Sequence, residues 1–273
     1  MEEGIIMPGF TTHYIFGMKA YNDMPNSQLK HIVAKYRWLY QLGLQGPDIF
    51  FYNIPILRHQ DYRNVGSHMH EHQVSQFFDC CLRHIGLISS RQQKEEAVAY
   101  LAGFINHYIA DSICHPFIYG RIGYDINEPS TKNHGLHAAL ENELDAILLW
   151  KYKKKKPSEF NQTASICLNG QELQFISHFL ASCINETYYP ITYRNNFQVT
   201  PAMVHRSVWA IRFGCRTLAD KSGRKKNSIE FVESLFLKQP VASAKLVTDT
   251  ISNYRNSCNL DHQPWCNPWK RSL

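Results

Sequence analysis

Apolar residues recur at three- and four-residue spacing along most of the chain, the pattern of helices that turn one face inward. Leu29, Ile32, Val33, Tyr36, Leu39 and Tyr40 mark a first helix that opens near Asn26 or Ser27 and ends by Gly46-Pro47. A second runs from about His70 to His84. Ser90, with Gln93 three residues on, offers a capping box for a long third helix reaching about Tyr119, and a fourth covers His134 to Lys154. Gln171 to Thr187 reads as a fifth. Thr200-Pro201 pairs a cap with a proline at the first helical position, opening a sixth helix with Val204, Val208, Ile211 and Cys215 on one face. Val241 to Asn256 closes the set. Alternating strand patterns and solenoid-period repeats are absent. The expected fold class is therefore all-α, a single-domain multi-helix bundle over residues 1–273 in which helices of 156–273 pack on a first half at about 8–155.

Two of these helices carry polar groups where a core face would be apolar. In the third, His107, Asp111 and His115 stand at i, i+4 and i+8, and each step of four turns the face by only about 40°, so all three project from one stripe. Phe104, Ile105, Tyr108, Ile109 and Ile113 surround them, which predicts a central helix, apolar nearly all round. A carboxylate and two imidazoles buried there are costly unless paired or bound to a cation. The fourth helix repeats the arrangement with His137, Glu141 and Asp145, preceded one turn earlier by His134. Facing stripes of this kind are how helical bundles build metal sites in their cores. Nitrogen and oxygen donors without cysteine suit Zn2+, with manganese or iron as competitors.

Earlier segments add His13 in FTTHYIFG, Asp48 in LGLQGPDIFFY and His70 in GSHMHEHQ. Asp48 follows Gly46-Pro47 at a helix end, where a turn can aim a carboxylate inward. Of His68, His70 and His72, His70 is favoured because Val74 and Phe77 lie one and two turns further along a similar face. Cys114 stands about 100° off the ligand stripe and reads as a buried thiol.

Composition changes this picture little. The eight cysteines are scattered, two of them adjacent at Cys80-Cys81, and read as free, mostly buried thiols of a reducing compartment. The longest apolar stretch, Val98 to Tyr119, is interrupted by His107, Asp111 and His115, and so reads as a buried helix and not a membrane span. The beginning, MEEGIIMPGF, is acidic where a secretory leader is basic, and no apolar run follows, so a cytoplasmic protein is expected. Codons for Met-Glu-Glu-Gly also resemble a ribosome-binding sequence ahead of Met7. A start at Met7 with Met removal would leave Pro8 as the free terminus, five residues before His13. The formal charge of +6 gathers partly at Lys151 with Lys153 to Lys156, and at Lys221 with Arg224 to Lys226. Such runs are commonly solvated helix ends, and they can also attract an anionic membrane surface.

The order His13, Asp48, His70, HYIADSICHP and HAALENELD resembles the zinc-dependent phospholipase C family and, with it, the related single-strand-specific nucleases. The resemblance spans about residues 8 to 150. It implies a helical bundle holding two or three zinc ions: one on Asp48, His70, His107 and Asp111, a second on His115, His137 and Glu141, and a third shared by His13 with a bridging Asp111. In the secreted enzymes the histidine after the bridging aspartate lies further on than His115 does, with His134 the nearest substitute here. The third zinc there uses the amine and carbonyl of an N-terminal Trp, and no Trp lies near this start.

The implied activity is hydrolysis of a phosphodiester by a water-derived hydroxide. Clustered zinc lowers the pKa of a bound water toward about 7 and clamps the phosphoryl oxygens, while Asp48 serves as general base. The expected substrate is a phospholipid. A nuclease acting on single strands and a metal-stabilised scaffold without turnover are the alternatives. Tyr188, Tyr189 and Tyr193 read as aromatic anchors of a loop, and Asn259, His262, Trp265 and Trp269 as a polar-aromatic tail.

Overall fold

The computed structural model describes residues 9–52, 65–123, 131–192 and 197–217, with the backbone alone at 131–135, 138 and 217. Contacts divide the chain between Lys226 and Asn227, and every described residue lies in the first unit. The helix expected at Val241 to Asn256, the basic run at Lys221, Tyr193, the C-terminal tail, the Met7 start and the side chain of His134 all fall outside the described residues.

Nine α-helices and three short 3-10 helices make up the described fold, and no strand is present among the described residues. They are α1 (Phe10–Asp23), α2 (Gln28–Lys35), α3 (Arg37–Gly43), α4 (Val65–Glu71), α5 (Val74–Leu87), α6 (Arg91–Ile122), α7 (Thr131–Lys153), α8 (Gly170–Tyr188) and α9 (Pro201–Thr217). No helix among the described residues is long and apolar enough to cross a membrane.

Local signals account for several boundaries. Ser27 caps α2 by accepting from the Lys30 amide at 3.3 Å, and Ser90 caps α6 through the Gln93 amide at 3.4 Å. At α8, Asn169 and Glu172 form a reciprocal capping box, which satisfies donors that the first helical turn leaves unpaired. Two predicted helices are broken. The first divides at Tyr36, whose φ of −110° and ψ of 43° end α2 while its ring stays buried. The second divides at Gln73, in the left-handed region at φ 49°, so Val74 and Phe77 continue on a different helix from His70. Helix α1 was not predicted from the apolar pattern.

The core forms where α3 and α6 press together and where α8 and α9 close over them. At the α3–α6 crossing Gly43 and Gly103 face one another. A Cβ on Gly43 would collide with the carbonyl of Tyr100, and one on Gly103 with that of Tyr40, so only a pair without side chains lets the two backbones approach this closely. Leu39, Leu42, Ile49, Ile176, Leu180, Ile184, Val204 and Ile211 fill the interior with essentially no exposure, each contributing about 1.5–3 kcal/mol by area burial.

The expectation that α6 is central throughout holds only for its first half. Beyond His107 Ala110 and Ile118 stay buried, but much of the remaining apolar surface is open: Ile105, Tyr108, Ile109 and Phe117 are exposed, and Ile113 is 65% exposed. Of the described cysteines Cys80, Cys81, Cys183 and Cys215 are buried, Cys114 is half-buried and Cys167 is exposed, all with free thiols.

Candidate metal centre

Helix α6 forms the spine of the site. His107, Asp111 and His115 do share one stripe, and three elements bring further groups to it: α1 carries His13, the 3-10 segment Gly46–Tyr52 carries Asp48, and the last turn of α4 carries His70. Helix α7 brings His137 and Glu141 to the far end, beside His115.

Asp111 is the hub. Its carboxylate lies 3.2 Å from His13 Nε2, 3.1 Å from His107 Nε2, 3.5 Å from His70 Nε2 and 3.8 Å from His115 Nε2. Asp48 stands opposite, 3.1 Å from His70 Nε2 and 3.9 Å from both His13 and His107. Three groups result in which every donor atom lies within 4.8 Å of the others: His13 with His107 and Asp111, Asp48 with His70 and His107, and His115 with His137 and Glu141.

The ring orientations carry chemical meaning. His70 Nδ1 is 2.8 Å from the carbonyl of Gly66 and His107 Nδ1 is 3.1 Å from that of Leu44. A carbonyl only accepts, so each Nδ1 donates, and in a neutral imidazole the lone pair is then on Nε2. Both Nε2 atoms point at carboxylates. His107 Nε2 sits 3.1 Å from Asp111 Oδ2 yet is buried without an aligned hydrogen bond, as are His13 Nδ1 and Glu141 Oε2. Two electron-rich atoms side by side, held by anchors behind one of them, are arranged as co-ligands of a cation. The residues therefore fit a zinc-type ion through nitrogen and oxygen donors.

In the metal-free protein, protons take over part of that compensation. Burial works against protonating His13, but Asp111, Asp48 and Glu141 outweigh it and raise its pKa to about 9. His70 and His115 shift upward in the same way against their burial. For Asp111 and Glu141 burial favours the neutral acid, while the neighbouring histidines overcome it and lower both, Asp111 well below its ordinary value.

The backbone around Asp48 explains the Gly46-Pro47 signal. Gly46 has φ +48°, and a Cβ there would strike the His107 ring, so the turn that aims Asp48 requires glycine for conformation and for space. Stacking completes the packing: His13 on His107 with centroids 4.1 Å apart, Phe51 on His70 at 5.5 Å, and Tyr119 on His115 at 5.2 Å. His68 packs against Tyr188 and Tyr189, which are buried, and His72 is exposed. A cleft of about 670 Å³ lined by Tyr14, Tyr21, Arg37, Trp38 and Phe160 includes none of the clustered acids and histidines.

Asp145 has a role that periodicity did not reveal. It accepts from the amides of Thr11 at 3.0 Å and Thr12 at 2.7 Å and from the Thr12 hydroxyl at 2.6 Å. A carboxylate of α7 thus caps the first turn of α1, which has no side-chain cap of its own at Gly9, and so orients His13 one residue further on.

Helices alone, with imidazoles and carboxylates gathered along α6, define an all-α protein with candidate metal-binding groups. Residues 12–189 match the zinc dependent phospholipase C family, and the chain belongs to that family. No curated protein and no solved structure matches the chain.

Proposed function

We propose that the protein hydrolyses phosphodiesters, with a phospholipid as substrate, at a cluster of two or three zinc ions. Asp48, His70, His107 and Asp111 hold one ion, His115, His137 and Glu141 a second, and Asp111 with His13 a third where one is bound. The observation that carries this reading is the pair of imidazoles anchored through Nδ1 to the Leu44 and Gly66 carbonyls, with Nε2 turned toward Asp48 and Asp111. When bound, zinc supplies positive charge to the phosphoryl oxygens and makes water acidic enough to be deprotonated near neutrality.

The side chains do the rest. Asp48 is buried, facing three imidazoles, and is the group we assign to accept the proton of the attacking water. The His13–His107 stack and the Gly46 turn hold it in place, and the low exposure of His13 and His107 keeps bulk water from competing. Family membership supports the phosphoric diester class and the phospholipid choice. The exposed Lys151 and Lys153 to Lys156 at the end of α7 support an anionic membrane as the surface on which substrate is met, and cytoplasmic residence remains part of the same proposal.

The test is elemental analysis of the purified chain combined with a substrate panel: phosphatidylcholine vesicles, a chromogenic choline phosphodiester and a single-stranded oligonucleotide. The expected result is at least two zinc equivalents and a diglyceride product from the vesicles. Cleavage of the oligonucleotide alone would move the reading to the nuclease branch, and bound zinc with no turnover would leave a structural scaffold.

A further inference from the structure

Away from this cluster, α5 and α8 bring together a second group of donors of different chemistry. Cys80 and His84 stand four residues apart on one stripe of α5, and Cys183 comes from α8. One donor atom from each lies within 4.8 Å of the other two. Both sulfurs are buried, with Cys80 at 2% and Cys183 at 0% exposure. Behind the imidazole, Glu186 Oε2 is 2.7 Å from His84 Nε2, and Arg83 donates to the other Glu186 oxygen at 2.6 Å.

We propose that Cys80, Cys183 and His84 form a separate binding site for a thiophilic divalent cation, with zinc as the native occupant. Four features support it. Two sulfurs with one imidazole are a soft-donor set that zinc takes in tetrahedral sites. With zinc–sulfur bonds near 2.3 Å, ligands at the tetrahedral angle stand about 3.8 Å apart, so the present group needs only small side-chain rotations. A carboxylate on the outer ring nitrogen is the usual companion of a metal-binding histidine. It fixes the tautomer, and with Nε2 donating to Glu186 the lone pair is left on Nδ1. Finally, Thr187 Oγ1, one turn beyond Cys183, is buried with no aligned hydrogen bond and stands beside the Cys80 thiol. Three protein ligands leave a fourth position for water. Bound there, a cation ties the C-terminal turns of α5 and α8, the latter ending at Tyr188, whose ring packs on His68 two residues before His70.

Because the cluster on α6 offers no sulfur, the two sites are separable by spectroscopy. Full-length protein is stripped with chelator, kept reduced with a phosphine, and titrated with Co2+. Wild type is expected to develop an intense thiolate-to-cobalt charge-transfer band saturating at one equivalent. Cys80→Ser and Cys183→Ser should abolish it, and Cys215→Ser, a buried thiol on α9, should retain it. His84→Gln changes a partly exposed residue, which protects the test against failure of the buried variants to fold, and should weaken binding by at least about 10-fold. Phosphodiester turnover with zinc restored should persist in folded His84→Gln. Wild type binding cobalt without the charge-transfer band would overturn the proposal, as would a band that survives Cys80→Ser and Cys183→Ser together or is unchanged in His84→Gln.

Discussion

The two ends of the α6 stripe solve the same electrostatic problem by different means. At the end around His107 most side chains are sealed, His107 at 1% and Asp48 at 4% exposure, with only His70 reaching the surface at 22%, and the His70 and His107 rings are pinned by backbone carbonyls. At the end around His115 the ring is 24% exposed. Its neighbours are Glu141, His137 and Tyr119, side chains that can move, and His137 Nε2 rests 2.8 Å from Glu141. A sealed site must have its ligands oriented before the ion arrives, since water cannot relieve an unpaired nitrogen or carboxylate there. The open end can rearrange around an ion and exchange it. The sealed end is thus built into the fold and the open end is added to it.

Asp111 joins the two, so its replacement gives the largest expected effect. Asp111→Asn keeps the volume but removes the charge facing His13, His70, His107 and His115. Metal content should fall by at least one equivalent. Turnover should fall on the order of 10³-fold, the equivalent of several kcal/mol of transition-state charge stabilisation, with a much smaller change in KM. Asp79→Asn, the same chemistry at an exposed position of α5, is the control and should change neither. Retention of full metal and rate in Asp111→Asn would dissolve the link between the two ends.

The comparison is sharpened by removing one histidine from each end. His107→Ala deletes a buried ring stacked on His13 and should destabilise the zinc-loaded fold by about 2–4 kcal/mol, in the range of other large-to-small core changes. His137→Ala should release an ion and activity while leaving the denaturation midpoint near wild type. Chemical denaturation beside metal analysis separates the outcomes, and equal destabilisation by both would remove the distinction between sealed and open ends.

Stability of the stripped protein should report the sealed end through pH. His13 has a pKa raised to about 9 in the fold, against about 6.5 when unfolded. Its contribution is therefore complete below pH 6.5 and lost as the pH rises through 9. Asp111 and Glu141, lowered in the fold, contribute above the ordinary carboxylate range and lose that contribution as the pH falls through their depressed values. Metal-free protein should accordingly weaken between pH 6.5 and 9 in denaturant titrations, and zinc should flatten that limb because it replaces the proton. An alkaline limb identical with and without zinc would mean that His13 does not face the ion.

What was legible in the sequence divides along the same line. The stripes of α6 and α7 could be read because both ends of each i, i+4 relation lie on one helix. Asp48 was found because Gly46-Pro47 marks a turn, although the clash of a Gly46 side chain with His107 is a tertiary fact. His70 lies at the site, but the face shared with Val74 and Phe77 was the wrong reason, since the chain reverses at Gln73 between them. The open back of α6 was missed because an apolar run such as Ile105, Tyr108, Ile109 and Ile113 says nothing of whether a neighbour covers it. The anchors of His70 and His107 are backbone carbonyls, which carry no residue signature. Helix α1 was overlooked because its buried residues, Phe10, Thr11, His13, Ile15 and Gly17, follow no helical stripe and its cap is a carboxylate 133 residues away.

That distant cap gives the smallest effect and a direct probe of how the sealed end is assembled. Asp145 sits on the same helix as His137 and Glu141 but serves α1, so its hydrogen bonds to Thr11 and Thr12 are a link by which the open end supports the sealed one. Asp145→Asn retains one acceptor for the Thr11 and Thr12 amides and loses the charge that complements the helix N-terminus. The loss is at most about 1 kcal/mol, the usual worth of a cap, because removing the charge also removes its burial penalty. Burial raises the Asp145 carboxyl to about 6 despite its bonds to Thr11 and Thr12, so this native cap carries a penalty as pH rises from the ordinary aspartate range through 6, and the Asn variant lacks that dependence. The stability difference between wild type and variant should therefore change between pH 4 and 7 and be constant above. His13 is the only ligand proposed on α1, so an ion it shares with Asp111 should bind more weakly, by about 10-fold as for other supporting groups, while an ion held by His115, His137 and Glu141 should be unaffected. Competitive zinc titration resolves the two classes of ion. Uniform weakening of all of them would mean that Asp145 supports the bundle as a whole and not the placement of His13.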